Sequence, residues 1–408
     1  MLTIQSLNLA DLARHADAWN DLWRRSESRL PSQRAEGIQL WCETFATGSE
    51  LTALVVRQED QFVAALPLIR ETYGGVLTIY RLPSNCTVRA GDLLIDPNAD
   101  VNEAIALVAS QLTALPGTLA ALEEIDMGSD RWQRMVRRLR GQGHELHVSS
   151  GHDVGVIDIL HDWEAYTSSW SRNHRSAVKR TRKKFEASGD VQVIRLCDPS
   201  DQLLHETLEA CFAIEDRTWK GESGTSIVKT PGMREYFHRE AKIVRDAGML
   251  DLWLLKLDGQ LVAFEYCHLS KGTCFSHKIS FDPAWERFSP GRLLRFYQLQ
   301  QYHQDPQITL LDTLGVLCQA KAKWTTRSYT CGRVVASIGG PFSRQLLKLL
   351  KSSRQLSRRL RWAPVSSESI APGAASYLES AGGGPETAAT TPPIRLSSSL
   401  PVGESQSV

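Results

Sequence analysis

The segment T-C-F-S-H-K-I-S-F-D-P-A-W-E-R-F-S-P-G-R-L-L-R-F-Y, residues 273–297, decides how this chain is interpreted. Its first eight residues form a β-like run, and a turn-rich loop follows. A helix is predicted to begin at S-P-G-R, because Ser289 can cap it and Pro290 fits a first helical turn. Gly291 carries no side chain, so a ligand can approach the backbone closely at this position. A strand therefore leads through a loop into a helix whose first amides are open.

An open helix N-terminus favours negatively charged ligands. The first amides of a helix lack intrahelical acceptors and lie at the positive end of the helix dipole. Arg287 and Arg292 lie beside these amides in the sequence and add positive charge. The segment thus predicts a site for a phosphate or pyrophosphate group; the alternative is a well-capped helix without a ligand.

The order of predicted elements from residue 191 onward gives this segment its context. A strand is followed by two helices, three consecutive strands, the helix at Pro290, a strand, a short helix and a final strand pair that is broken at Gly332. The predicted ranges are 191–196, 200–219, 231–246, 250–257, 261–269, 273–280, 308–314, 319–324 and 328–338.

That order resembles the GNAT superfamily of N-acetyltransferases. Three sequence motifs make the resemblance more specific: W-K-G-E-S-G-T at 219–225, F-D-P-A-W-E-R-F-S-P-G-R-L-L at 281–294 and K-A-K-W at 321–324. With the basic segment 162–190 they resemble the CelD-type, exopolysaccharide-associated acetyltransferases, a branch related to the FemAB-like aminoacyltransferases. One departure is that the usual GNAT loop reads R/Q-x-x-G-x-G/A, whereas Arg287 is followed by F-S-P-G.

The resemblance implies an α/β fold with a mixed sheet and tandem GNAT-like domains. Residues 1–150 would form a degenerate first copy without an S-P-G-R loop, which either helps to form the acceptor groove or is a plain scaffold. Residues 151–342 would carry the site for acetyl-CoA or another acyl-CoA, with no metal. The implied cofactor-binding residues are Arg287, Phe288, Ser289, Gly291, Arg292 and Leu293.

Hairpin geometry suggests catalytic residues. If the turn between the second and third central strands is centred on Lys271, Glu265 lies opposite His277, and the carboxylate can orient the imidazole as a base. A shift of one residue would instead pair Glu265 with Lys278 as an ordinary ion pair. Asp312, near the end of the following strand, is a third candidate acid or base, or a cap for the next turn.

Two lysine–tryptophan pairs suggest residues that bind the substrate accepting the acyl group. Such pairs can bind an anionic or sugar-like group through charge and stacking. The alternative for Trp324 is a place in the core. The predicted acceptor-binding residues are Trp219, Lys220, Lys323 and Trp324.

Composition is that of an ordinary enzyme. The 408 residues carry a net charge of +1, with 42% hydrophobic and 23% charged residues, which indicates a globular chain of two or more domains. The N-terminus lacks the pattern of a signal peptide and no long apolar run occurs, so we expect a cytoplasmic protein. The eight cysteines contain no C-x-x-C, so neither a zinc site nor a disulfide framework is predicted.

Two basic segments suggest further contacts. Residues 172–184 contain seven arginines and lysines and no acid, which favours attraction of an anionic ligand or, alternatively, a solvated helix. Nucleic acid is not expected, because few aromatic residues are interleaved with the charges. Residues 343–362 form a basic amphipathic pattern that fits an anionic membrane surface, a synthase partner or packing back on the enzyme. Residues 363–408 are predicted to be a disordered tail.

These features support two classes of function. The first is an acyl-CoA-dependent N- or O-acyltransferase acting on a small molecule or polysaccharide precursor. The second is a non-catalytic accessory protein of an exopolysaccharide synthesis system. The FemAB-like relation leaves an aminoacyl-tRNA donor open, although the helix start at S-P-G-R fits a pyrophosphate better.

Overall fold

The computed structural model describes residues 1–352 and 396–397. The helices are α1 Leu9–Arg14, α2 Ala16–Arg25, α3 Ala35–Phe45, α4 Val101–Ala114, α5 Asp130–Gly141, α6 Trp163–Ser168, α7 Arg172–Glu186, α8 Asp201–Asp216, α9 Trp219–Glu222, α10 Met233–Asp246, α11 Pro290–Tyr302, α12 Gln319–Ala322 and α13 Pro341–Ser352. The strands are β1 Leu2–Leu7, β2 Glu50–Gln58, β3 Gln61–Tyr73, β4 Leu77–Arg81, β5 Leu94–Ile95, β6 Leu119–Asp126, β7 Leu146–Asp158, β8 Val191–Leu196, β9 Leu250–Leu257, β10 Gln260–Ser270, β11 Thr273–Phe281, β12 Leu310–Asp312, β13 Arg327–Ser337 and β14 Leu396–Ser397. From β8 onward this order agrees with the order predicted above, except that the short helix α9 is additional and the predicted final strand pair is one strand, β13.

One mixed sheet contains the same strand pattern twice. Its order is β1-β2-β3-β4-β6-β13-β7-β12-β11-β10-β9-β8-β14, with β5 beside β3. In the first half β1 to β4 are antiparallel neighbours and β6 runs parallel to β4. In the second half β8 to β11 are antiparallel neighbours and β12 runs parallel to β11. Helices occupy equivalent positions in both halves: α1 to α3 match α8 to α10, and α4 matches α11.

The two halves exchange their last strands. β7 follows the first half in sequence, yet its end at residues 156–158 pairs with β12 of the second half. β13 follows the second half, yet residues 331–337 pair with β6 of the first half. β7 and β13 also pair with each other over ten residue pairs, so the sheet is continuous. The predicted boundary after residue 150 falls inside β7.

A hairpin turn of the second half is held by the first half. The Lys271 ammonium donates to the carbonyls of Trp23, Ser26 (2.9 Å) and Ser28 (2.6 Å) and lies 4.4 Å from the centroid of the Trp23 ring. Arg29 donates to the Thr273 hydroxyl at 2.9 Å. Three carbonyls satisfy all three donors of an ammonium group, so this contact fixes the β10–β11 turn against the first half.

A buried polar cluster lies where α10 packs on β10. Glu240, 3% exposed, accepts hydrogen bonds from the hydroxyls of Tyr236 at 3.0 Å and Tyr266 at 3.2 Å. The His268 Nε2 lies 3.1 Å from the Tyr266 hydroxyl, and the His277 ring lies 3.9 Å from the His268 ring. Burial raises the pKa of Glu240 to about 7, because a carboxylate loses solvation in the core.

The C-terminal helix packs back on the sheet. Leu347 of α13 is 1% exposed and joins Ile79, Leu119 and Val335 in a small apolar cluster, while Leu349 is 67% exposed. Residues 353–362 of the predicted basic helix and the predicted tail, apart from Leu396–Ser397, lie outside the described residues. Within the described part of the chain, no helix has the length and apolarity needed to cross a bilayer.

Truncating Leu347 should weaken this docking. Leu347→Ala removes buried methyl groups, and we expect a loss of about 2–3 kcal/mol in the free energy of unfolding. Leu349→Ala on the same helix is the matched control and should change stability by less than about 0.5 kcal/mol. Urea denaturation of both variants measures the difference. Equal stabilities would show that the helix does not depend on the Leu347 contact.

Glu240 should make stability depend on pH. Its pKa is about 7 in the folded protein and 4.5 in a model compound, so the folded state favours the protonated acid. Its contribution is therefore complete below pH 4.5 and is lost as pH rises to about 7. We expect Glu240→Gln to be more stable than the parent at pH 8 by roughly 3 kcal/mol and to gain little at pH 4. A stability difference that does not change over this range would contradict the raised pKa.

Candidate active-site cleft

The sheet opens between β11 and β12. Their parallel pairing is restricted to residues 273–275 and 310–312. β11 continues to Phe281, whereas the chain after β12 turns away through Leu314 and Gly315, both in the left-handed region with φ of +42° and +58°. Residues 276–281 therefore expose one strand edge within the described sheet. An exposed edge can hydrogen-bond an extended ligand.

A β-bulge lies at this opening, and it corrects the predicted pairing. Lys271 and Gly272 form a two-residue turn, so Ser270 pairs with Thr273. His277 is the additional residue between the Cys267–Ser276 and Tyr266–Lys278 pairs. Glu265 consequently lies opposite Ile279, and both registers predicted for it, opposite His277 and opposite Lys278, are wrong. The prediction assumed a turn centred on Lys271 and a hairpin without a bulge.

Glu265 instead binds an arginine behind the strand. Its carboxylate is fully buried and accepts a hydrogen bond from Arg295 of α11 at 2.6 Å. Arg295 also donates to the Ser276 hydroxyl at 3.1 Å. Glu265 therefore orients Arg295 beneath the first residue of the open edge, and it makes no contact that would orient His277.

His277 is neutral in this environment. Its ring lies 3.9 Å from the His268 ring at an interplanar angle of 43°, and its Nε2 atom is buried without a hydrogen-bond partner in the described chain. Burial, and then the positive charges of Lys278 and Arg89, lower the pKa of His277 to about 3. It can accept a proton at neutral pH, but such a low pKa makes it a weak base.

The start of α11 differs in detail from the predicted cap. Ser289 occupies the N-cap position in a left-handed conformation, φ +48°, and its side chain makes no capping hydrogen bond, so that expectation is wrong. Its carbonyl accepts from the amides of Arg292 (3.0 Å) and Leu293 (3.3 Å). Pro290 has no amide hydrogen, and the Gly291 amide has no acceptor within the described part of the chain. A Cβ on Gly291 would meet only Phe281, at 3.6 Å, so the space beside this residue is open.

Two of the predicted cofactor residues have core side chains. Phe288 and Leu293 are buried, and the Phe288 ring packs 5.7 Å from Phe185 of α7. They can contribute to a ligand site only through their backbone. Arg287 is exposed, with its guanidinium carbon 4.7 Å from the centroid of the Phe288 ring.

The basic helix α7 lies beside this N-terminus. Its Ser171 side chain caps it, and His174 in its first turn is 5% exposed. The His174 Nε2 atom has no hydrogen-bond partner among the described residues. Burial, followed by the charges of Arg292 and Lys323, lowers the pKa of His174 to about 4, and burial and Arg180 lower that of Arg292. Arg292, Lys323 and Arg180 therefore form a cationic spot around a neutral imidazole, and no acid among the described residues forms an ion pair with them.

The opposite side of the opening carries Asp312. Its carboxylate is buried and accepts hydrogen bonds from the Tyr329 hydroxyl at 2.9 Å and the Leu314 amide at 2.8 Å. The second bond is the turn cap that was the predicted alternative. Burial raises the pKa of Asp312, with Arg89 and Lys321 opposing the rise. This carboxyl group is therefore a better base near neutral pH than an exposed aspartate.

Lys321 and Arg89 were not predicted. Lys321 donates to the carbonyls of Thr313 (3.1 Å) and Leu314, and burial lowers its pKa to about 8. Arg89, from the first half, forms an ion pair with Glu124 at 2.8 Å, and its charge acts on both Asp312 and His277. The motif K-A-K-W begins with Lys321 and could have identified this lysine as a candidate site residue. Nothing in the sequence around Arg89 indicates that it reaches the second half.

The four predicted acceptor residues have different environments. Trp219 is 56% exposed, and Lys220 donates to Glu215 at 2.7 Å and to the Ile279 carbonyl of β11 at 3.3 Å. Trp324 is buried between Trp170 and His174, which agrees with the core alternative. Lys323 is exposed and close enough to His174 to lower its pKa.

The corresponding helix of the first half offers no such site. Asp100 caps α4 by accepting from the Glu103 amide at 2.9 Å, and Glu103 adds a second acid in the first turn. Two acids at a helix start repel an anion and use the amides that would bind it.

Comparisons with known proteins agree with this geometry. Residues 172–322 match the family model described as acetyltransferase (GNAT) domain. The search of curated proteins found no match. FemX is similar in structure, with a TM-score of 0.57 and 12% identity over 83% of this chain and 98% of that one. The C-terminal domain (DUF2156) of a putative lysylphosphatidylglycerol synthetase from Agrobacterium fabrum is similar with a TM-score of 0.50 and 11% identity, over 83% of this chain and 95% of that one.

A third solved structure extends the same picture. A conserved protein of unknown function from Bacteroides thetaiotaomicron gives a TM-score of 0.50 with 13% identity, over 83% of this chain and 100% of that one. Identities this low establish the fold alone. The chain therefore has a GNAT-like α/β fold, and its residues 172–322 match a GNAT acetyltransferase domain.

Proposed function

We propose that the protein transfers an acyl group from an acyl-CoA, such as acetyl-CoA, to an amine or hydroxyl of a small molecule or polysaccharide precursor. One observation carries the proposal: β11 and β12 separate directly before an α11 N-terminus whose Gly291 amide and cationic spot have no partner among the described residues. The thioester arm of an acyl-CoA can hydrogen-bond the free edge of β11, and the pyrophosphate of the coenzyme can bind the first amides of α11.

The pyrophosphate site is built from two helices. The Gly291 amide and the Arg292 guanidinium of α11 would bind the phosphates, and the buried His174 Nε2 of α7 would add a donor. Lys323 and Arg180 would contribute charge from the rim. Arg292 and Lys323 lower the pKa of His174, and a bound anion would raise this pKa because a negative neighbour favours the imidazolium.

The acyl group would lie along residues 276–281 of β11. The acceptor nitrogen or oxygen attacks the thioester carbonyl, the carbon–sulfur bond breaks, and the thiolate leaves with the coenzyme. Asp312 is the proposed base, because it lies at the end of β12 with a raised pKa. Lys321 and Tyr329, next to Asp312, are the proposed donors to the departing thiolate.

The acceptor would enter between the two halves. Arg89 of the first half lies close to both Asp312 and His277, so the first half would form one wall of the groove. Trp219 is exposed beside Lys220, which contacts the end of β11, and would supply a flat apolar surface to a sugar-like acceptor. Lys323 would serve the donor rather than the acceptor.

Binding of the donor tests the cationic spot. Isothermal titration with acetyl-CoA and free coenzyme A should show binding that free pantetheine, which lacks the pyrophosphate, reproduces much more weakly. Arg292→Ala should weaken binding by about tenfold or more through the loss of a charge-assisted contact. Gly291→Val should do the same by covering the amide, and both variants should stay folded.

The control for donor binding is Arg137→Ala, which removes an exposed arginine of α5. It should bind coenzyme A as the parent does. If no coenzyme A species binds at millimolar concentration, the acyl-CoA proposal is wrong. Binding of aminoacyl-tRNA under those conditions would identify the alternative donor, and coenzyme A binding without turnover would support the accessory role.

Asp312→Asn should separate activity from stability. Release of free thiol from acetyl-CoA, measured with a panel of amine and hydroxyl acceptors, should fall by about 10²-fold or more. The melting temperature at pH 7 should rise, because burial disfavours the ionised carboxylate that the substitution removes. His277→Gln should reduce turnover by less than about tenfold, since a pKa near 3 makes a poor base. The reverse order of the two effects would assign the base to His277.

A further inference from the structure

Two helices bring together a group of metal-ligand side chains outside the cleft. His205 and Glu209 are one turn apart on α8, and His238 lies on α10. The ligand atoms of the three residues all lie within 4.8 Å of one another. The two imidazole rings stack with centroids 4.5 Å apart, and the His238 Nε2 lies 2.6 Å from Glu209 Oε1. Residues four apart on a helix share a face, so α8 presents both of its ligands to α10.

The group faces an open cavity. The cavity has a volume of about 440 Å³ and is lined by these three residues together with Lys229, Thr230 and Arg234. His205 is exposed, whereas Glu209 and His238 are half-buried. An ion held here would keep coordination positions that water or an anionic group in the cavity could fill.

Glu209 already binds a cation. Arg234 donates through Nε to Oε1 at 2.9 Å and through Nη2 to Oε2 at 2.5 Å. An ion bound to Oε1 and the imidazoles would leave Arg234 its contact with Oε2. An arginine that hydrogen-bonds a ligating carboxylate fits the usual outer shell of a metal site.

We propose that His205, Glu209 and His238 bind a divalent cation of the zinc type. Two imidazoles and one carboxylate form a ligand set suited to Zn²⁺, Co²⁺ or Ni²⁺, while Mg²⁺ and Ca²⁺ favour oxygen-rich sites. The site is separate from the proposed acyl-CoA cleft and does not depend on it.

A second group of possible ligands serves as the comparison. Glu124, His152 and Cys331 also converge, yet Arg89 contacts both Glu124 (2.8 Å) and the Cys331 sulfur (3.3 Å). Burial raises the pKa of Cys331 to about 11, so its thiol stays protonated. A guanidinium on two of three ligands and a neutral thiol disfavour a metal there.

The test is metal titration of the full-length protein after treatment with a chelator. Zn²⁺ should bind with a stoichiometry of one per chain by isothermal titration calorimetry, and Co²⁺ should give the visible absorption bands of a site with nitrogen ligands. His205→Ala is the informative variant, because an exposed residue can be removed without unfolding the chain. It should weaken binding by more than about tenfold, as should Glu209→Gln.

His152→Ala is the matched control and should leave metal binding unchanged. The proposal is overturned if the parent protein binds neither ion at millimolar concentration. It is equally overturned if His152→Ala abolishes binding and His205→Ala does not. Circular dichroism of each variant confirms that the chain is folded when the affinity is measured.

Discussion

The pairing of β7 with β13 is the constraint on which the rest of the structure depends. Each strand belongs in sequence to one half and pairs in space with the other, so backbone hydrogen bonds run without interruption across the molecule. A joint of this kind cannot hinge as two domains connected by a linker can. It fixes the first half, with Arg89, relative to the opening between β11 and β12.

The opening itself follows from the short length of β12. Three residues pair with β11 before the chain turns away, and the remaining edge of β11 is left without a partner strand in the described sheet. An unpaired edge inside a sheet is costly unless a ligand or solvent satisfies it. The same end of β11 meets the α11 N-terminus and the first turn of α7, where the buried His174 Nε2 has no hydrogen-bond partner in the described part of the chain and positive charges lie close together. The unpaired backbone edge of β11 and the unpaired groups at the starts of α11 and α7 therefore lie in the same cleft.

The strand–loop–helix segment was predicted correctly because its signals are local. Strand propensity over residues 273–280 and proline at the first helical position each act within a few residues. β7 was missed for the opposite reason. Its sequence L-H-V-S-S-G-H-D-V-G-V-I-D has weak strand propensity, and pairing with β13 on one side and β12 at its end holds it in the sheet. Contacts made by residues more than one hundred positions away leave no local pattern.

In the candidate site, too, some features follow from local sequence signals and others from contacts between distant residues. Local sequence signals predicted that a helix with an open, arginine-flanked start follows a strand, and they offered for Asp312 either a catalytic role or the turn cap that the structure shows. The fold adds two features that have no local signal: the bulge at His277 places Glu265 opposite Ile279, where it binds Arg295, and helix packing places Arg292 near His174. The physical reason is that register and helix packing minimise the free energy of the whole sheet and core. A single extra residue in one strand therefore reassigns every partner beyond it.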